Sequence, residues 1–310
     1  MKYPEPRPVS SYANLRSRIE RLLIDDVAGY AADAQLSLDI GTPDSMDERF
    51  RLPGKNITEF LDFVTTSVPD GDLYLFGGVL RDIALFGQRG FHSDIDLVVE
   101  GSWKACIPFL ESLGARRNRF GGYRLFVGGW PVDIWNARET WAITEGHVSY
   151  RGIDSLLETT VLNWDAILMN WRTRRFVCHD NYLEMLRHRM MDVVLEYNSN
   201  PLGMAVRVFR HLCLKDAKSI SIKAARYMTR CTRHYTYGQL VDSELGSYGN
   251  RFIEEAIYMM FREFDIESEV HPRQAWDLAG EELQRQGIAL SRKQQEFALQ
   301  FGEQGGRYWQ

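Results

Sequence analysis

A chain of 310 residues with 45% hydrophobic and 12% aromatic content has material for more than one packed core. Its net charge of −5 excludes a uniformly basic coat for nucleic acid, and the absence of any run of about 18 apolar residues excludes a membrane-spanning helix. Cys106, Cys178, Cys213 and Cys231 form no Cys-x-x-Cys pair, which argues against a zinc ribbon or a disulfide frame and for a reducing compartment. Met1 to Pro8 has neither an apolar leader nor a transit-peptide composition, so the expectation is a soluble, cytoplasmic protein.

Taken in order, a proline-punctuated arm leads into Ser11 to Ala34, where Leu15, Ile19, Leu22, Leu23 and Val27 recur at helical spacing. Ser37 to Pro53 reads as a loop, and Asn56 or Thr58 could cap a helix that runs through Val64 and ends at the turn Pro69 to Asp72. Leu73 to Phe76 is a short apolar run that stops at Gly77-Gly78, and a helix-compatible segment follows, so the pattern is strand, tight turn, helix. After the break Gly87 to Gly90, Asp94 to Val99 reads as a buried strand. Ser102 to Leu113 reads as a crossover helix stopped by Gly114. Tyr123 to Val127 and Trp130 to Trp135 flank Gly128-Gly129, a dipeptide suited to a two-residue hairpin turn. Ser155 to Trp171 reads as helix, Arg174 to Cys178 as a short strand, and most of Asn181 to Glu303 as helix broken near Pro201, Gly246 and Pro272.

Charge is partitioned along the chain. Arg172 to His234 holds thirteen Lys and Arg against five Asp and Glu, whereas Gln239 to Ala289 holds four against eleven and Met1 to Asp72 eight against thirteen. The basic block is interleaved with Tyr182, Tyr197, Phe209, Tyr227 and Tyr235, a composition that suits phosphate contact with base stacking. The same composition also describes a solvated helical face over an aromatic core.

The chemistry concentrates between Asp72 and Arg138. A glycine turn ahead of a helix offers bare backbone N–H groups to an anion. Period two puts Asp94 and Asp96 on one strand face, about 7 Å apart, and Asp133 lies on another strand. Three carboxylates beside a phosphate-suited turn suit a hard divalent cation held with substrate phosphates, and a two-metal phosphoryl-transfer centre.

Gly77-Gly78-Val79-Leu80-Arg81-Asp82, then Asp94 to Gly101, then Arg119-Phe120-Gly121-Gly122, then Val132 to Thr140 resembles, in order and spacing, the catalytic head of class II CCA-adding enzymes and bacterial poly(A) polymerases. These belong to the DNA polymerase β-like nucleotidyltransferase superfamily. The resemblance is strong from Leu73 to Thr140 and fainter to Arg210. It implies an α+β head, a small mixed sheet with helices on one side, followed by an all-α body. The corresponding division is an N-terminal helical appendage at residues 1–70, a catalytic head at 71–180 and a helical neck and body at 181–310. It also implies that Asp94, Asp96 and Asp133 are catalytic and bind two Mg²⁺, with Mn²⁺ as a substitute, and that Gly77 and Gly78 approach the triphosphate. Arg81, Arg119 and Arg138 are its candidate nucleotide contacts, with an Arg81–Asp82 ion pair as the alternative for Arg81, and Ser93, just before the carboxylate pair, is placed to hydrogen-bond phosphate. Candidate RNA contacts are Arg174, Arg175, Arg207, Arg210, Lys215 and Lys218. The implied partners are an NTP, ATP or CTP first, and RNA, a tRNA above all.

Beyond the head the pattern departs. Where the family has Arg-Arg-Asp-Phe-Thr-x-Asn-Ala, this chain has Thr159 to Ala166, with Asp165 in the place of the Asn. The neck motif becomes Asn200-Pro201-Leu202-Gly203 with Arg207 and Arg210 shifted by one place, and the base-reading Glu-x-x-Arg falls on Asn250 to Ile253. Nucleotidyl transfer is therefore carried over, and CCA addition is not. A small-molecule nucleotidyltransferase of the aminoglycoside-modifying kind shares Gly-Gly and the His92-to-Asp96 pattern. A toxin or defence enzyme acting on tRNA or protein, and an idle binding module on the same fold, complete the alternatives.

Overall fold

In a computed structural model, the structure describes residues 8–24, 57–87, 94–215, 217–265, 267, 270–288, 290, 291, 294 and 297–300. The chain forms two compact units, Met1–Arg187 and His188–Gln310. The loop expected at Ser37 to Pro53 and the helix beyond Ile24 lie outside the described residues.

The first unit is built on a seven-stranded mixed sheet: β1 Asp72–Phe76, β2 Ile95–Glu100, β3 Arg116–Arg117, β4 Tyr123–Val127, β5 Trp130–Asn136, β6 Ile167–Asn170 and β7 Phe176–Cys178, in the order β3-β4-β5-β2-β1-β6-β7. Only the β2–β5 pair is parallel. Its helices are α1 Tyr12–Ile24, α2 Ile57–Thr66, α3 Gly78–Phe86, α4 Trp103–Ser112, α5 Trp141–Thr144 and α6 Tyr182–Arg187. Alternation along the central strands feeds two apolar layers. Tyr74, Phe76, Val98 and Leu168 pack with Ala137, Leu156, Leu157 and Ala166, while Leu73, Leu75, Ile95, Leu97 and Val99 point the other way and are fully buried.

Helix α3 is buried from Val79 to Leu85 because β1, β2 and β6 contact it, and so does α1. The α1 stripe Leu15, Ile19, Leu22 and Leu23 is buried, as its spacing predicts. Arg18 donates to the carbonyls of Ile83 and Ala84 in the last turn of α3, at 3.3 and 3.4 Å, where a cation opposes the negative end of the helix dipole. Thr58 does not cap α2. Its hydroxyl donates to the Leu23 carbonyl at 2.8 Å and so ties α2 to the end of α1.

One reading of local structure in the first unit changes. Ser155 to Trp171 is not one helix but 3₁₀ turns at Ile153–Thr159 and Asn163–Asp165 followed by β6. All four β6 residues are buried beside β1, and a continuous apolar run of that kind has no period to distinguish it from helix. Strand β3, two residues long, carried no signal.

The second unit is helical, with α7 Pro201–Leu214, α8 Ile222–His234, α9 Tyr237–Tyr248, α10 Glu255–Glu263 and α11 Pro272–Arg285, and it adds a three-stranded parallel sheet of β8 Met190–Met191, β9 Ser219–Ser221 and β10 Ala298–Gln300. Asn200 caps α7 by accepting from the Gly203 amide at 3.0 Å, with Pro201 in the first turn. A Thr236–Gln239 capping box opens α9. The expected break at Gly246 falls inside α9, which ends instead at Gly249, whose φ of 67° makes the left-handed cap. Phe209, Phe261, Phe264 and Trp276 form an edge-to-face aromatic core.

Candidate functional site

The strand-to-helix turn comes first. Gly77 has φ 64° and ψ −115°, a region closed to other residues, although a Cβ there would meet nothing nearer than the Asp165 carbonyl at 3.6 Å. Its amide donates to the Ile167 carbonyl at 3.0 Å, so that N–H belongs to the fold and does not face a ligand. The donors that remain are the first-turn amides of α3, beginning with Gly78, which have no preceding carbonyl within the helix.

The three aspartates lie on one face of the sheet. Asp96 on β2 is in register with Phe76 on β1 and with Asp133 on β5, and Asp94 precedes β2 with the same parity. Across the hairpin, Asp133 is in register with Arg124 on β4. The Arg124 guanidinium donates through Nε to Asp133 Oδ1 at 2.8 Å and through Nη2 to both Asp133 Oδ2 and Asp94 Oδ2, the latter at 2.8 Å. Hydrogen bonding to Asp133 raises the pKa of Arg124 against the opposing effect of its partial burial, and Asp94 and Asp96 add to the rise. The residues thus brought together are Asp94, Asp96, Asp133 and Arg124, of which sequence reasoning missed the last. A signal for it existed. A two-residue turn at Gly128-Gly129, whose φ values are 56° and 86°, pairs Val127 with Trp130 and hence Arg124 with Asp133.

Four carboxylate oxygens on Asp94 and Asp133, with Asp96 beside them, have the hard-donor chemistry that Mg²⁺ or Mn²⁺ takes. Their arrangement is set by Arg124, however, and among the described residues no three His, Cys, Asp or Glu side chains are grouped so as to hold a metal ion.

Arg81 corrects the sequence reading. As a phosphate contact it would need exposure, yet it is 6% exposed, and its guanidinium is taken by Asp82 at 2.8 and 3.1 Å and by Asp165. Burial alone would lower its pKa, but Asp165 and Asp82 raise it above the usual value. The ion-pair alternative is what the fold contains. Asp165, the departure from the family's Asn, is the distant half of that pair, while the buried Tyr182 hydroxyl donates to the Trp164 carbonyl at 2.8 Å.

Arg138 follows β5 and lies over the Tyr150 ring at 4.5 Å. Tyr150 and Tyr74 both donate to Glu100, and burial first, then the Glu100 charge, helps push the Tyr74 phenol up to about 12. Register puts Glu100 four residues along β2 from Asp96, about 13 Å, so Arg138 belongs to that end of the strands. Arg119 is exposed in the β3–β4 turn with its guanidinium 4.6 Å over Phe120. Asn118 closes this turn by accepting from the Phe120 and Gly122 amides at 2.9 and 3.1 Å. Ser93 lies outside the described residues.

The candidate RNA contacts divide. Arg174, at φ 57°, stacks on Trp171 at 3.3 Å, and Arg210 is buried against Glu244 at 2.6 Å. Arg210 is thus held inside the protein, which corrects its reading as a surface contact, while Arg174 is half-buried. Arg175, Arg207 and Lys218 are exposed and Lys215 is half-buried. Arg174 and Arg175 belong to the first unit and the other four to the second.

No family model matches the chain, and no curated protein does. Among solved structures it is similar to a CCA-adding enzyme in complex with ATP, at 14% identity over 92% of this chain and 67% of that one, with a TM-score of 0.46. It is also similar to a tRNA-processing enzyme in an apo form, at 17% identity, 60% and 51% coverage and a TM-score of 0.45. A third is a tRNA nucleotidyltransferase complexed with a primer tRNA and an incoming ATP analogue, at 18% identity, 59% and 54% coverage and a TM-score of 0.44. The match spans about half the length of the last two proteins. Among the described residues no helix is long and apolar enough to cross a membrane.

Proposed function

We propose that this protein is a divalent-metal-dependent, template-independent nucleotidyltransferase that moves the nucleoside monophosphate of an NTP, ATP or CTP first, onto an RNA hydroxyl and releases pyrophosphate. A tRNA 3′ end is the leading acceptor. The observation that carries the reading is that Asp94, Asp96 and Asp133 share one sheet face, at β2 and its neighbour β5, with β2 paired to the strand that ends at the Gly77 turn and its helix N-terminus.

The first-turn amides of α3 would orient the triphosphate. Asp94, Asp96 and Asp133 would hold Mg²⁺, which when bound supplies charge neutralisation at the phosphates. Asp133, across from the Asp94 and Asp96 pair, would accept the proton of the attacking hydroxyl. The hydroxyl attacks the α-phosphorus in line, the bond from that phosphorus to the bridging oxygen breaks, and pyrophosphate carries away the electron pair. Catalysis then rests on positioning and charge.

The test is incubation with Mg²⁺, each radiolabelled NTP in turn, and either total tRNA or an aminoglycoside panel, beside an Asp94→Ala/Asp96→Ala protein. Label on RNA that disappears in the double variant is the expected result and names the nucleotide. Label on the small molecules alone contradicts the RNA assignment and supports the aminoglycoside-type alternative.

A further inference from the structure

We infer that Arg124 is a built-in counter-cation of the carboxylate centre, which holds Asp94 and Asp133 together without metal and must leave them before a divalent cation takes their oxygens. Arg124 thereby sets the metal concentration at which the site fills. The inference rests on the metal-dependent reading above and adds to it a residue outside the motifs that suggested that reading.

The geometry carries the argument. One guanidinium engages both oxygens of Asp133 and reaches Oδ2 of Asp94. A hard cation needs the same lone pairs, so at these oxygens the two compete directly. Arg124 is also able to leave: its side chain is 53% exposed, whereas that of Arg81, also paired with two carboxylates, is 7% exposed and locked. Register makes the contact a property of the fold, since the Gly128-Gly129 turn fixes Arg124 opposite Asp133. Once displaced, the fork stays beside the centre with a geometry that suits phosphate oxygens.

The experiment is titration of metal-stripped protein with Mn²⁺, read by electron paramagnetic resonance of the free ion, for the wild type, Arg124→Met, Arg124→Lys and Asp94→Asn/Asp133→Asn. Arg124→Met should bind Mn²⁺ up to about fivefold more tightly, the scale of losing a competing ion pair at a half-exposed site. Its melting temperature in EDTA should fall below wild type and recover with Mn²⁺, because Asp94 and Asp133 then repel unshielded. Arg124→Lys, whose single ammonium cannot span both carboxylates, should bind severalfold more tightly than wild type and gives the readout if the Met variant does not fold. Unchanged or weaker binding in the Arg124 variants, with binding still lost in the double Asn variant, overturns the inference and leaves the metal reading intact. No Mn²⁺ binding by any of the proteins overturns both.

Discussion

Arg81 and Arg124 each meet two carboxylates, and burial separates what each can do. Arg81 is enclosed with Asp82 and Asp165, where removing one partner leaves uncompensated charge in a low-dielectric interior. Arg81→Met should therefore cost about 3–5 kcal/mol of stability, measured by urea unfolding. An unchanged midpoint with weakened NTP binding would instead return Arg81 to the nucleotide. The common sheet face of Asp94 and Asp96 was legible in the sequence because strand parity is a local signal. For Arg81 the pair with Asp82 was one of the two readings, but its second partner Asp165, 84 positions away, was not legible. Arg124 was legible in principle through the hairpin register, but only once Asp133 had been put on the facing strand. Gly77 was legible as a turn, though not as a residue whose own amide is used by β6.

At the scale of elements, the β4–β5 hairpin and the parallel β2–β5 pair together hold the centre, and Gly122 sets how closely β4 enters the hairpin. A Cβ at Gly122 would lie 2.9 Å from both the Ile134 carbonyl and Trp135 Cβ, which are backbone and near-backbone atoms that cannot yield easily. Gly122→Ala should destabilise by about 1–3 kcal/mol, visible as a lower denaturant midpoint, and should disturb the register that faces Arg124 with Asp133. A midpoint equal to wild type would mean that the hairpin shifts freely. Most of the sheet was readable from alternation and glycine punctuation. Strand β6 was not, because burial on both faces removes the alternation that identifies a strand.

At the scale of the whole chain, each unit contains its own buried arginine–carboxylate network. In the second unit Glu244 is fully buried and accepts from Arg210 and from the Phe252 and Ile253 amides, while Arg210 lies over the Tyr248 and Phe252 rings. Glu244→Ala should abolish hydrogen-exchange protection at Phe252 and Ile253 while leaving β1 and β2 amides protected. Loss of protection in β1 and β2 as well would contradict a local role. The segmental charge was plain in the sequence, yet not all of the basic block is open to a ligand: Arg210 is buried against Glu244, and the exposed Arg230 and Lys223 are paired with Glu196 and, at 2.5 Å, with the Val194 carbonyl. Composition counts charges and cannot say which of them face water. The most direct test of the central claim is the rate of labelled NMP transfer to tRNA by Asp133→Asn, a change of one oxygen at the residue that faces both Asp96 and Arg124. The account predicts a loss of about 10²–10⁴-fold in kcat with the fold retained; transfer at the wild-type rate would contradict it.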